Sequence, residues 1–300
     1  MCVDCGCSDG AKATITNVKT GKVSELWRNV VGQLHDAGIL DDHSRDHDHD
    51  HGHAHGHPHH HHDGDHAHGH THDHSHDQGH GHAVVDLQQS ILQKNDARAA
   101  RNRAWLQGRE VLMLNLVSSP GSGKTSLLER TIRDLKNKYS ISVIEGDQAT
   151  ANDGERIAAA GAQAIQVNTG TGCHIEADMV QRGLDELKPP RGSMVLVENV
   201  GNLVCPALFD LGEKAKVAIL SVTEGEDKPI KYPRMFRATT MLLLNKIDLL
   251  PHLDFDVART LAYARDVNPN VEVIQVSAKT GAGMNEWYGW LEKRLAEVRI

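Results

Sequence analysis

The chain has 300 residues, with 32 Lys and Arg against 40 Asp and Glu, and 22 His, for a formal net charge of −8 with His neutral. Residues 41–82 hold nine Asp, one Arg and no Glu, so this segment carries the whole excess and the remainder is neutral, which argues against a basic nucleic-acid-binding protein. There is no apolar run of about 18 residues to span a membrane, and the polar, Cys-bearing start is unlike a secretory signal.

The five cysteines are odd in number, and three crowd into Cys2-x-x-Cys5-x-Cys7, too close together for a useful disulfide framework. A reducing, cytoplasmic setting is the expectation. Residues 1–10 thus offer a soft thiolate set suited to Ni²⁺, Zn²⁺ or Cu⁺. With Met1 removed, the α-amine of Cys2 would add a nitrogen, and three sulfurs with one nitrogen near a plane suit Ni²⁺. Residues 11–42 read as a linker. Within it Val23, Leu26, Trp27, Val30, Val31 and Leu34 recur at helical spacing after a cap at Ser24. That predicts a short helix over 23–40, either packing on the main domain or docking a partner.

Residues 43–82 hold 19 of the 22 His and almost no apolar side chain. Such a tract cannot bury enough surface to offset its ordering entropy and should be disordered without a ligand. Its imidazoles suit Ni²⁺, Zn²⁺ or Cu²⁺, and at about four ligands per ion they would hold roughly five ions. About four divalent ions would cancel the −8 of residues 41–82, so the tract reads as a metal store.

From Ala83 the composition becomes globular, and the ~220 residues that remain suffice for one large or two small domains. A helical pattern over 84–105 leads into an apolar run at 111–117. Further buried strands are expected at 141–145, 164–167, 194–197, 217–222, 240–244 and 272–276, and helices at 127–136, 175–187, 257–264 and 284–298. This alternation predicts an α/β fold over 83–300, a mostly parallel sheet flanked by helices, with ligands at the carboxyl ends of its strands.

The first of these strands ends in Ser118-Ser119-Pro120-Gly121-Ser122-Gly123-Lys124-Thr125-Ser126 and gives way to a helix. Against the phosphate-loop pattern G-x-x-x-x-G-K-[ST] only the opening Gly is missing, replaced by Ser118. Gly121 and Gly123 let backbone N–H groups curl round phosphate oxygens, Lys124 reaches the β and γ phosphates, and Thr125 holds Mg²⁺. Asn245-Lys246-Ile247-Asp248 follows a later strand, where the Asp248 carboxylate can accept from guanine N1–H and the 2-amino group, which adenine lacks. Ser277-Ala278-Lys279 follows another and supplies a second base contact, so GTP is the expected nucleotide. Asp147 in Glu145-Gly146-Asp147 and Glu198 in Glu198-Asn199-Val200-Gly201 end strands and can hold Mg²⁺ or its water. Lys124, Asp147 and Glu198 are the catalytic candidates. Asn202, not Gln, follows Gly201, so intrinsic hydrolysis should be slow.

Cys173-His174 stands at the start of an expected helix, whose N-terminus would lower the thiol pKa, and Cys205 follows the Glu198–Gly201 segment. Two adjacent ligands fall short of the about four that Ni²⁺ or Zn²⁺ takes. Both a half-site doubled across a two-fold dimer and a structural Cys with a capping His fit this spacing.

Taken together, Cys2-x-x-Cys5-Gly6-Cys7, the His-rich spacer, Ser118–Thr125, Glu145-Gly146-Asp147, Glu198–Gly201 and Asn245–Asp248 resemble, over essentially the whole chain, the HypB family of hydrogenase nickel-incorporation GTPases. The resemblance implies a SIMIBI-class P-loop GTPase that forms homodimers across its nucleotide sites. It further implies a second metal site, for Ni²⁺ or Zn²⁺, at Cys173, His174 and Cys205. Nickel delivery to the large subunit of [NiFe]-hydrogenase, together with the zinc-binding partner HypA, is implied as well. The urease nickel GTPases UreG are the nearest alternative. They place Pro between the Cys and His of the metal motif and lack the N-terminal Cys cluster, both unlike this chain. A protein serving mainly as a nickel store is the other reading.

Overall fold

A computed structural model describes residues 13–26, 79–147, 152–170 and 172–299. The Cys2, Cys5 and Cys7 cluster, residues 27–42 and the His tract up to residue 78 lie outside the described residues. The described chain opens with β1 (Thr14–Asn17), β2 (Val23–Glu25) and a long helix α1 (Gly79–Gly108). Strands and helices then alternate through β3 (Leu112–Ser118), α2 (Lys124–Leu135), β4 (Ile141–Asp147), α3 (Asn152–Ala160), β5 (Gln163–Asn168), α4 (Ala177–Leu187) and β6 (Met194–Glu198). The second half holds β7 (Ala215–Ser221), α5 (Lys228–Lys231), α6 (Pro233–Arg237), β8 (Met241–Asn245), α7 (Val257–Val267), β9 (Glu272–Gln275) and α8 (Met284–Ala296).

The nine strands form one sheet in the order β2-β1-β5-β4-β6-β3-β7-β8-β9, and every pair from β5 to β9 is parallel. The expected α/β architecture is therefore present. Because successive side chains on a strand point to opposite faces, Leu112, Leu114 and Leu116 of β3 join one core with Leu127, Leu128, Ile132 and Trp287, while Met113 joins another with Leu106, Met179, Val180 and Leu184. Complete burial of each large apolar side chain stabilises by about 1.5–3 kcal/mol. Trp287 is fully buried and its indole N–H donates to Thr131 Oγ1 at 3.0 Å, so the largest core residue leaves no orphaned donor.

Two expectations are corrected. The helix expected from residue 23 does not begin there: Val23–Glu25 is a strand, antiparallel to β1, which in turn pairs antiparallel with β5. The unpaired edge of β5 supplies the reason, since its exposed N–H and C=O groups accept the strand Thr14–Asn17. A turn in which Asn17 Oδ1 accepts from the amides of Lys19 and Thr20, with Gly21 at φ 67°, then reverses the chain. Residues read as linker thus join the main sheet, and the rest of that expected helix lies outside the described residues. The second correction concerns Cys173-His174, which precede α4 instead of opening it. That helix starts at Ala177, whose N–H donates to Asn95 Oδ1 of α1 at 3.0 Å. The cap comes from another helix, so no local capping residue marks the start, and Cys173, four residues before Ala177, does not sit at a helix N-terminus. Helix α1 also begins at Gly79, four residues before the globular composition sets in.

Candidate nucleotide and metal sites

The chain leaves the central strand β3 at Ser118 and enters α2 at Lys124. In between, Gly121 and Gly123 sit at φ 74° and 97°, the left-handed region open to glycine. A Cβ on Gly123 would lie 2.6 Å from Asn245 Nδ2, so this turn accepts no side chain. Ser118, in place of the pattern's first Gly, is fully buried, and its hydroxyl accepts from Lys124 Nζ at 2.7 Å and Ser122 Oγ at 2.6 Å. The departure from the motif therefore positions the lysine. Burial lowers the Lys124 pKa, against the pull of Glu198, Asp153 and Glu145, which favour its charge.

The second and third motifs close on the first. Asn245 Nδ2 donates to Ser122 O at 3.0 Å, Lys246 Nζ donates to Gly121 O at 2.7 Å, and the amide of Ala278 donates to Asn245 Oδ1 at 3.4 Å. Ser277 Oγ donates to Asp248 Oδ1 at 2.6 Å, which fixes the carboxylate expected to read the base. Ser126 Oγ is 3.5 Å from Arg156 Nη2, and Lys279 is exposed beside Ser126 and Ala278. Three segments, the first more than a hundred residues from the other two, thus form one site.

A cleft of about 550 Å³ opens in front of the loop, lined by Gly121, Lys124, Thr125, Asp147 and Glu198 among others. Thr125 Oγ1 donates to Glu198 Oε1 at 2.7 Å, while Glu198 Oε2 is buried with no hydrogen-bond partner. Hydroxyl and carboxylate oxygens are the hard donors Mg²⁺ takes, and a buried unpaired carboxylate oxygen suits a cation there. Two further cleft residues escaped the sequence reading. Arg156 lines it, held by Asp153 and Glu129. Glu145 is the register partner of Glu198 on the neighbouring parallel strand, so the two side chains share a face. The signal for Glu145 was a lone acid in an apolar strand two residues before Asp147.

Burial, then the nearby Glu198 and Asp147, raise the Glu145 pKa to about 9, and burial raises Glu198 to about 7 against Lys124 and Thr125. Both folded values exceed that of an unfolded carboxyl, so the stability these acids contribute is complete below about 4.5 and is lost as pH rises through 7 and then 9. Glu145→Gln keeps the shape and removes the titration. At pH 8 it should raise the melting temperature of the nucleotide-free protein by about 2–4 °C, with little change at pH 4. An unchanged or lower melting temperature at pH 8 would show that Glu145 is not held against its own charge.

The third constellation is formed by Cys173, His174 and Cys205. Cys173 Sγ is 2.7 Å from Cys205 Sγ and 3.6 Å from His174 Nδ1, and the three ligand atoms lie within 4.8 Å of one another. The topology brings together residues 32 apart, one pair before α4 and one after β6. The His174 ring packs on Phe209 with centroids 3.8 Å apart, and its buried Nε2 is 3.8 Å from Glu176 Oε1. Burial, against His174, raises the Glu176 pKa. Two sulfurs and an imidazole suit Ni²⁺ or Zn²⁺ and leave one position of a four-ligand shell to be supplied. Val204 and Leu208, on either side of Cys205, are 49% and 45% exposed. No helix among the described residues is long and apolar enough to cross a membrane.

A family model described as the CobW/HypB/UreG nucleotide-binding domain matches residues 112–275. The hydrogenase maturation factor HypB of Rhizobium leguminosarum bv. viciae is 58% identical over 217 residues, covering 72% of this chain and 73% of that protein. Among solved structures, the hydrogenase maturation factor HypB from Archaeoglobus fulgidus is 37% identical with a TM-score of 0.64, over 68% of this chain and 99% of that one. HypB from Helicobacter pylori in complex with nickel is 34% identical with a TM-score of 0.65, over 68% of this chain and 96% of that one.

Proposed function

The chain belongs to the CobW/HypB/UreG family and, within it, to the HypB hydrogenase maturation factors, and on that premise we propose that it is a GTP-hydrolysing nickel metallochaperone. The observation that carries this reading is one short segment serving both sites: Glu198 accepts from Thr125 beside the phosphate loop, and Cys205, at the far end of the same segment, meets Cys173. Nickel is the cargo. The nickel bound to the Helicobacter pylori relative and the two-sulfur, one-imidazole set here support that assignment.

In the reaction, water attacks the γ-phosphorus, the bond to the β-phosphate oxygen breaks, and GDP and phosphate leave. Backbone amides of Gly121–Thr125 and the Lys124 ammonium neutralise charge that builds on the phosphates. Thr125, with Asp147 and Glu198, would hold Mg²⁺, which supplies further charge neutralisation when bound. Slow turnover is expected because Asn202, not Gln, follows Gly201, and its side-chain Oδ1 already accepts from the amide of Val204 at 2.7 Å. A two-fold dimer would bring a second Cys173, His174 and Cys205 set to complete the metal shell, and exposed Val204 and Leu208 support such a contact. Delivery runs in the cytoplasm to the hydrogenase large subunit with a HypA-like zinc-binding partner. Residues 43–82 act as the reservoir, and Cys2, Cys5 and Cys7 as a high-affinity nickel site.

Guanine selection by Asp248 gives the test. The purified chain should turn over GTP with a kcat/KM at least about 100-fold that for ATP, because adenine offers the Asp248 carboxylate neither the N1–H nor the 2-amino group of guanine. Equal turnover of the two nucleotides would overturn the assignment of substrate.

A further inference from the structure

We propose that Asn115, Asn199, Glu213 and Lys216 form a buried polar relay that positions the Cys173, His174 and Cys205 ligands in response to the nucleotide cleft. This rests on the reading above, that nucleotide state and metal affinity are coupled, and adds the residues that carry the coupling.

Asn115 is an amide in the middle of the apolar strand Leu112–Ser118, with 0% exposure. A buried amide there is costly unless every polar atom has a partner. Its partners lead away on both sides. Asn199 Nδ2 donates to Asn115 Oδ1 at 3.2 Å, and Asn115 Nδ2 donates to Glu213 Oε1 at 3.2 Å. Glu213 forms an ion pair with Lys216 at 3.8 Å, with both side chains at least nine-tenths buried. The strand register explains the contact, since Asn115 and Lys216 are paired residues of the parallel strands β3 and β7 and so share a face.

The ends of this chain of contacts grip the two halves of the metal triad. Asn199 lines the cleft next to Glu198, and its Oδ1 accepts from the amide of Ile175, the residue after His174, at 3.1 Å. Lys216 Nζ donates to Pro206 O at 2.8 Å, directly after Cys205, and to Phe209 O at 3.2 Å. Phe209 is the residue whose ring packs on His174. Any shift of the Glu198–Asn199 segment toward Thr125 is therefore passed to Cys173 and His174 through Ile175. The same shift reaches Cys205 and Phe209 through Asn115, Glu213 and Lys216. The opposite face of the triad is fixed: α1 clamps both loops, with Asn102 Nδ2 donating to Ala177 O and Leu211 O, and Asn95 Nδ2 donating to Asp210 O. The relay is thus the adjustable side of an otherwise pinned site.

The test uses the full chain with Cys2, Cys5 and Cys7 changed to Ser. Cys173 and Cys205 are then the only thiols, and thiolate-to-nickel absorption reports on this site alone. Chelator competition should give a nickel Kd that differs by about tenfold between the GDP form and the form holding a non-hydrolysable GTP analogue. Asn115→Leu should cut that ratio below about twofold while the absorption band persists. The paired change Glu213→Gln with Lys216→Met removes the relay at its other end, leaves no unpaired charge, and should give the same loss. Retention of the full ratio in either folded variant overturns the relay alone. A ratio of one in the parent chain overturns the coupling itself, and the relay with it.

Discussion

Lys124→Ala should lower the rate of GTP hydrolysis by about three orders of magnitude, equivalent to about 4 kcal/mol of lost transition-state stabilisation. The size follows from how the ammonium is held. It sits at the end of a strand-to-helix turn, 8% exposed, anchored to Ser118 Oγ at 2.7 Å, and the hydroxyl costs no reorganisation when charge develops on the phosphates. The other cations that line the cleft among the described residues are already engaged, Arg156 by Asp153 and Glu129 on α3 and α2 and Lys246 by Gly121 O. Loss of the lysine also leaves Glu198 and Glu145 without the cation that favours their ionised forms, so the variant binds Mg²⁺ and nucleotide less tightly as well. Nickel binding at Cys2, Cys5 and Cys7 should be untouched. Single-turnover hydrolysis measures the first effect, and a residual rate above about a tenth of the parent would rule out this role for Lys124.

Cys205→Ala should weaken nickel binding at the half-buried triad by about 100-fold or more. Replacing a residue that merely orients a ligand costs 10–100-fold in metal affinity, and a ligand itself costs at least as much. Cys205 is the one ligand of the triad on its own segment, and its sulfur lies 2.7 Å from that of Cys173. Its removal leaves two ligands from adjacent residues. Serine, a harder donor, should not restore the site. Competition against a chelator in the chain lacking the three N-terminal thiols reads the change directly, and a loss under about threefold would mean that Cys205 is structural.

Much of the architecture was legible because the central strands are nearly continuous apolar runs, as expected of a parallel sheet buried on both faces. The proximity of the segments expected to hold phosphate, base and Mg²⁺ was legible for a related reason: each is contiguous and ends a strand, so sequence order implies spatial order. Where recognition depended on register, the sequence was silent. Glu145 acquires meaning only when β4 and β6 set it beside Glu198, and Asn115 only when β3 and β7 set it beside Lys216. Ser118 looked like a tolerated loss of glycine, yet its hydroxyl holds Lys124. The hairpin was misread because four and three residues are too few to show alternation, while the apolar spacing that continues past Val23 mimics a helix. The start of α4 was misplaced because its cap, Asn95, lies 82 residues upstream.

The His-rich segment, which dominates the composition, lies outside the described residues up to residue 78, while the two candidate sites are joined by the segment from Glu198 to Cys205. Isothermal titration of GDP and of a non-hydrolysable GTP analogue into the chain lacking Cys2, Cys5 and Cys7, each with and without saturating nickel, tests that junction most directly. Linkage requires nickel to change the ratio of the two nucleotide affinities by the same factor, about tenfold, by which exchanging GDP for the analogue changes nickel affinity, and Cys173→Ala should abolish the difference. An identical ratio with and without nickel would contradict the coupling between the two sites.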